Sequence, residues 1–169
     1  NLTKNLDIIK IIGTILISFS IYSAYLLRDE QGVYVFSFII LISIFTDLGG
    51  YFFGKTFKGP KLTKISPNKT YSGALGSFIS SIIGGTTYFN LLMGNTYYPI
   101  EEHIKIIFFI FIISLISQLG DLIVSFFKRI AKIKHTGKIL PGHGGLLDRI
   151  DGIIFAIPFS YLILNYLNF

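Results

Sequence analysis

Apolar side chains run through this chain in five long blocks, separated by short polar stretches. A helix needs about 20 mainly apolar residues to cross the hydrocarbon core of a bilayer. Residues 8–27, 33–53, 74–93, 104–127 and 153–167 meet or approach that length. The pattern predicts an all-α fold, a polytopic membrane helical bundle of about five transmembrane helices. The third block is diluted by Ser77, Ser80, Ser81, Gly84, Gly85, Thr86 and Thr87. Small residues of this kind let helices approach closely, so this helix is expected among the others rather than at the edge. The fifth block is short and ends with the chain.

Charge sits between the blocks and alternates in sign. The stretch before the first block has Lys4 and Asp7, and the first connection has Arg28, Asp29 and Glu30. A strongly basic loop follows with Lys55, Lys58, Lys61, Lys64 and Lys69. The connection 94–103 carries Glu101 and Glu102 without lysine or arginine, and the loop 128–152 is again strongly basic. By the positive-inside rule the two basic loops are cytoplasmic, with the N-terminus inside and the C-terminus outside.

Composition narrows the reading. In 169 residues, 51% are hydrophobic and 14% charged, with a mean hydropathy of +0.65. One membrane-embedded domain over residues 1–169 is the expected organisation, since a soluble helical core would require every long run to be misread. The absence of cysteine excludes disulfides and thiolate metal sites. A net charge of +6 on so apolar a chain points to anionic lipid or nucleotide phosphates rather than nucleic acid. The chain begins at Asn1 rather than methionine, as a processed or partial chain does. Its first apolar run is too long for a signal-peptide core and lacks a clear cleavage site, so it reads as a span.

Two acids interrupt the blocks. Asp47 in IFTDLGGYFFG and Asp121 in SQLGDLIVSFF each lie in the last third of a span that enters a basic loop. An intramembrane acid is costly and marks a functional site or a structural ion pair. Two at matching depth favour a shared site near the cytoplasmic edge. The first basic loop, GKTFKGPKLTKISPNKTYSG, offers Ser66, Lys69, Thr70 and Ser72 as donors to phosphate oxygens. Taken alone it reads as a solvated connector that touches anionic lipid.

The second loop is more specific. Between Ser125 and Asp151 it carries Lys128, Arg129, Lys132, Lys134, Lys138 and Arg149. The turn Pro141-Gly-His143-Gly144-Gly145 presents successive backbone N–H groups, as anion nests do. Asp148 and Asp151 stand three residues apart, on one face if the segment is helical, and Arg149 can fork onto a phosphate. Carboxylates beside many cations suit magnesium, which is shared between acids and substrate phosphates. Zinc fits poorly, because only His135 and His143 stand nearby; His143 reads as a hydrogen-bonding contact residue.

Together these residues resemble the phosphatidate cytidylyltransferase, or CDP-diacylglycerol synthase, family. Ser125-x-x-Lys128-Arg129, Lys134, Pro141-Gly-His143-Gly-Gly145 and Asp148-Arg149-x-Asp151 are similar to its long signature. Lys61-Leu62-x-Lys64-Ile65-Ser66-Pro67-x-Lys69-Thr70, the segment from Asp47 through Tyr51-Phe52-Phe53-Gly54, and Gly120-Asp121-Leu122 resemble its other conserved stretches. The resemblance is strongest over residues 47–151, and the chain is shorter than typical members on the N-terminal side, as if spans were missing.

The resemblance implies transfer of the cytidylyl group of CTP to phosphatidic acid, giving CDP-diacylglycerol and pyrophosphate. It implies Mg2+, with a second metal ion allowed, and CTP, phosphatidic acid and membrane lipid as partners; it leaves room for a homodimer. The implied location is a multi-pass membrane protein, in a bacterial inner membrane, with its site facing the cytoplasm. Asp121 and Asp148 are the implied metal ligands, with Asp151 close by. Lys128, Arg129 and Arg149 would neutralise phosphates, with Asp121, Asp148, Asp151, Lys128 and Arg149 as the catalytic set. Asp47, Ser66, Lys69, Ser125, Arg129, Lys134, His143, Gly144 and Gly145 are the implied substrate-binding residues.

The chain departs from the family pattern at four places. His135 follows Lys134 where many members have aspartate, and Val124 stands where glutamate is common. Tyr71-Ser72 replaces Trp-Glu, and Thr63-Lys64 alters the usual lysine-proline order. Three rivals remain: a related CTP-dependent lipid or polyprenol transferase, a cation-binding membrane transporter, and a non-catalytic lipid-binding homologue.

Overall fold

The computed structural model describes residues 2–63, 66, 68–93, 99–133, 136, 145 and 147–166, with the backbone alone at 2–7, 9, 93, 148 and 149. Among the described residues every named element is helical: α1 Leu2–Phe57, α2 Tyr71–Met93, α3 Ile100–Ile130, α4 Leu147–Ile150 and α5 Ile153–Tyr166. The all-α expectation therefore holds. The first two predicted blocks fall on either side of Gly32 within α1. Gly32, at φ 83° and ψ 169°, leaves the helical range for a conformation open essentially to glycine alone.

Two helices are long and apolar enough to cross a membrane, α1 over Lys10–Phe57 and α3 over its whole length. α5 is apolar but has only 14 residues. The helix ends are set by local chemistry. Thr70 caps α2, its Oγ1 accepting the Gly73 N–H at 3.1 Å. α3 has Glu101 and Glu102 in its first turn and Lys128 and Arg129 in its last, both favourable to the helix dipole. It stops in a Schellman motif: Lys132 has φ 56°, its N–H reaches Arg129 O, and Ile133 N–H reaches Lys128 O, both at 3.0 Å.

Contacts fix how the helices run. Phe45, Gly49 and Gly50 of α1 meet Gly84, Gly76 and Ser77 of α2 respectively, so α2 returns antiparallel to the second half of α1. Phe38 stacks on Phe109 at 6.3 Å and Thr46 bonds to Ser114, so α3 runs parallel to that half. α5 starts beside α3 at the Asp121 end, with Gly152 against Ser117 and Phe155 against Gly120, and ends beside the residue 30–31 region of α1, so it runs back along the bundle. At the far end Gln31 and Glu30 both bond to Asn165.

The interior changes character along this bundle. Phe38, Ile39, Ile42, Phe109, Ile110, Ile113 and Ile157 form one buried apolar cluster. Farther along α1 and α3 the buried side chains become Thr46, Ser77, Ser114 and Ser117. Their hydroxyls bond across the helices: Ser77 Oγ donates to Thr46 O at 2.7 Å, and Thr46 Oγ1 to Ser114 Oγ at 2.9 Å. Small hydroxyl and glycine positions leave space, and at this end the bundle opens.

Candidate functional site

The opening is a cavity of about 370 Å³, walled by α1, the following loop, α2, α3 and the turn before α5. Asp47 comes from α1, Asp121 from α3 and Asp151 from that turn. The parallel course of α1 and α3 brings Asp47 and Asp121, the acids that interrupt the apolar blocks, to one end, and the turn before α5 adds the third carboxylate.

The first basic loop is the opposite wall. Lys61 and Thr70 form an antiparallel bridge, Leu62 N–H donates to Lys69 O at 2.8 Å, and Tyr71 N–H donates to Pro60 O at 3.0 Å. This narrow return directs Lys69 inward, where its ammonium forms an ion pair with the Asp121 carboxylate. Ser66 and Asn68 also line the cavity. The loop, which taken alone reads as a solvated connector, is drawn to the acids by its pairing across Lys61 and Thr70, and the expected donors Ser66 and Lys69 line the cavity.

On the other side, Ser125 Oγ donates to Asp121 Oδ1 at 3.4 Å, one helical turn away. Lys128 Nζ lies 3.5 Å from Asp151 Oδ2, while Gly152 N–H donates to Asp151 Oδ1 at 3.0 Å. Asp151 is only 6% exposed. Burial foremost, then the neighbouring Asp121 carboxylate, pushes its carboxyl up to about 7, against the lowering pull of Lys128. Arg129 is exposed in the last turn of α3 and does not line the cavity, and Gly145 is buried outside its walls. Asp148 and Arg149 lie in α4, which ends at Ile150, before Asp151, and their side chains fall outside the described residues. Lys134, His143 and Gly144 also lie outside them.

A cation would meet hard oxygen donors here. Among the described residues, no three acid or histidine side chains converge closely enough to hold a metal on their own. Asp121 and Asp151, however, line the same cavity, and burial first, then the Asp121 charge, raises the Asp151 carboxyl. Magnesium needs only one or two carboxylates when substrate phosphates and water complete its shell. The donor set fits that ion on those terms.

Thr46, Gly50, Asn68 and Gln118 of the wall were not picked out from the sequence, and Tyr51 and Ser77 were noted only for the resemblance and for close packing. Their spacing held the signal. Gln118 precedes Asp121 by three residues and Tyr51 follows Asp47 by four, placing each on the face of its acid. Gln118 Nε2 is buried without a hydrogen-bond partner among the described residues. Gly50 and Gly73 sit where the helices approach closely: a Cβ on Gly73 would lie 2.8 Å from Gly50 O, and one on Gly50 would lie 2.7 Å from Ser77 Oγ.

Comparison with known proteins agrees with this geometry. Residues 6–167 match the model of the cytidylyltransferase family. The chain is 37% identical over 155 residues to the phosphatidate cytidylyltransferase of Brucella suis, covering 89% of this chain and 54% of that protein. It is 34% identical over 151 residues to the enzyme of that name from Helicobacter pylori, covering 89% and 53%. For the one from Bacillus subtilis the identity is 38% over 137 residues, covering 80% and 49%. The chain thus spans about half the length of the curated relatives it matches. Because the family match runs from α1 to the end of α5 and takes in every wall of the cavity, the chain belongs to the cytidylyltransferase family.

Proposed function

We propose that this protein transfers the cytidylyl group of CTP to phosphatidic acid, releasing CDP-diacylglycerol and pyrophosphate. The observation that carries this reading is the convergence of Lys69, Asp121 and Asp151 on one cavity at the polar end of an apolar bundle. The relatives' name points to the same reaction. One substrate is a lipid and the other is soluble, which suits a polar site at the mouth of a helical bundle.

The proposed membrane arrangement has five spans, with both basic loops and the cavity on the cytoplasmic side. α3 supports it: 31 residues extend roughly 46 Å at 1.5 Å each, beyond a hydrocarbon core of about 30 Å. Its charged ends can therefore reach both headgroup layers.

In the reaction, a phosphatidate oxygen attacks the α-phosphorus of CTP. A new P–O bond forms as the bond from that phosphorus to the pyrophosphate oxygen breaks, and pyrophosphate leaves with the electron pair. A phosphate monoester is largely ionised at neutral pH, so no side chain need remove a proton. The protein's task is to bring two anions together and hold them. Lys69 and Lys128, each resting on a carboxylate, are placed to turn toward phosphate oxygens. Ser125 and Gly152 N–H orient Asp121 and Asp151. Asp121 and Asp148, with Asp151 beside them, would hold magnesium, which supplies charge neutralisation on the phosphates. Release of pyrophosphate from CTP, dependent on added phosphatidate and lost in Asp121→Asn, tests the assignment.

A further inference from the structure

One face of α1 leads from the bilayer directly to the cavity. Ile44, Leu48, Phe52 and Lys55 follow one another at intervals of three and four residues, and Tyr51, three after Leu48 and four before Lys55, lies on the same stripe. Ile44 is 41% exposed, Leu48 57%, Tyr51 68% and Phe52 62%. The stripe is apolar for two turns and ends on a lysine.

Two contacts set this stripe apart from an ordinary lipid-facing surface. Tyr51 belongs both to the stripe and to the cavity wall. Lys55 does not extend freely into water. Its ammonium lies 5.5 Å from the centroid of the Tyr51 ring and 3.3 Å from the Tyr51 hydroxyl. An ammonium over an aromatic face is held electrostatically while its N–H donors remain available. The exposed cation thus rests beside Tyr51, a wall residue, without itself lining the cavity, while Lys69 and Lys128 are engaged by Asp121 and Asp151.

We propose that Tyr51 and Lys55 form the entry subsite for the phosphate monoester of the lipid substrate. This rests on the cytidylyl-transfer reading and names the part of the site that takes the lipid. The acyl chains lie along Ile44, Leu48 and Phe52, and the headgroup meets Lys55 with the Tyr51 hydroxyl beside it. A doubly charged terminal phosphate gains more from this ammonium than a singly charged phosphodiester does, so the rim selects phosphatidate from bulk anionic lipid. The nucleotide occupies the interior, and the two anions meet from different sides. Lys55 and Tyr51 are positioning residues, since neither is required to touch the reacting phosphorus.

The test uses purified protein in phosphatidylcholine nanodiscs without nucleotide. Binding of pyrene-labelled phosphatidate is compared with that of equally labelled phosphatidylglycerol. The wild type is expected to prefer phosphatidate about tenfold, Lys55→Gln to lose the preference, and Lys55→Arg to keep most of it. In turnover assays Lys55→Gln should raise KM for phosphatidate about tenfold, leaving KM for CTP and kcat unchanged. An unaltered lipid preference in Lys55→Gln, or a rise in KM for CTP instead, would overturn the proposal. Wild-type protein with a Lys55-dependent preference but no pyrophosphate release would uphold the subsite and refute the transferase reading.

Discussion

Lys69 and Asp121, one from a loop and one from a helix, form an ion pair inside the cavity with each side chain about three-quarters covered, at 25% and 27% exposure. The pair ties the first basic loop to α3. It also places a resident cation on the carboxylate proposed to anchor the reaction. Partly exposed ion pairs contribute little to stability, about 0–1 kcal/mol. Lys69→Met should therefore shift Tm by only a few degrees in a detergent melt. Turnover should fall by about 10²-fold, the order seen when one preorganised charge-stabilising group is removed. Equal losses of stability and activity would make Lys69 a structural residue.

The α1–α2 contact makes a second prediction. A Cβ on Gly49 would lie 2.5 Å from Gly76 O and from Ser80 Oγ, whereas one on Gly13 meets nothing within 4 Å. Gly49→Ala forces the helices apart and should destabilise by about 1–3 kcal/mol, as overpacking does. Gly13→Ala should stabilise by about 0.5–1 kcal/mol, the propensity gain at an open helical site. Thermal melts of the two variants distinguish packing from propensity.

Titration gives the third. The Asp151 carboxyl is raised from 3.8 to about 7, chiefly by burial and by Asp121. Protonation thus favours the folded state. The contribution is fully present below pH 3.8 and is lost as pH rises through about 7. In metal-free protein Tm should fall between pH 5.5 and 8 on this account, and Asp151→Asn should flatten that slope. A wild-type Tm that rises over the same interval, with Asp151→Asn unchanged, would contradict the assignment.

Much of this architecture was legible in the sequence because membrane helices leave a strong compositional mark. The acids were legible too: Asp47 and Asp121 break apolar runs at matching depth, and the structure brings both to one cavity. Less visible was what depends on contact between distant segments. Lys69 reads from the sequence as a donor to phosphate, but its ion pair with Asp121 shows only once the Lys61–Thr70 bridge turns its loop inward. Gln118 disappears into an apolar run, although its helical spacing from Asp121 marks it once that acid is taken as the reference point. The break between the first two blocks falls on Gly32, a single residue in an otherwise ordinary polar connection.

The central claim is that Asp121 anchors a cytidylyl-transfer site. The most direct measurement is pyrophosphate release from CTP by purified protein in lipid nanodiscs with magnesium, with and without phosphatidate. Wild type should release pyrophosphate only when phosphatidate is present and form CDP-diacylglycerol in equal amount. Asp121→Asn, folded by the same melt, should fall by at least about 10²-fold. Intact protein that releases none, or an Asp121→Asn variant as active as wild type, would contradict it.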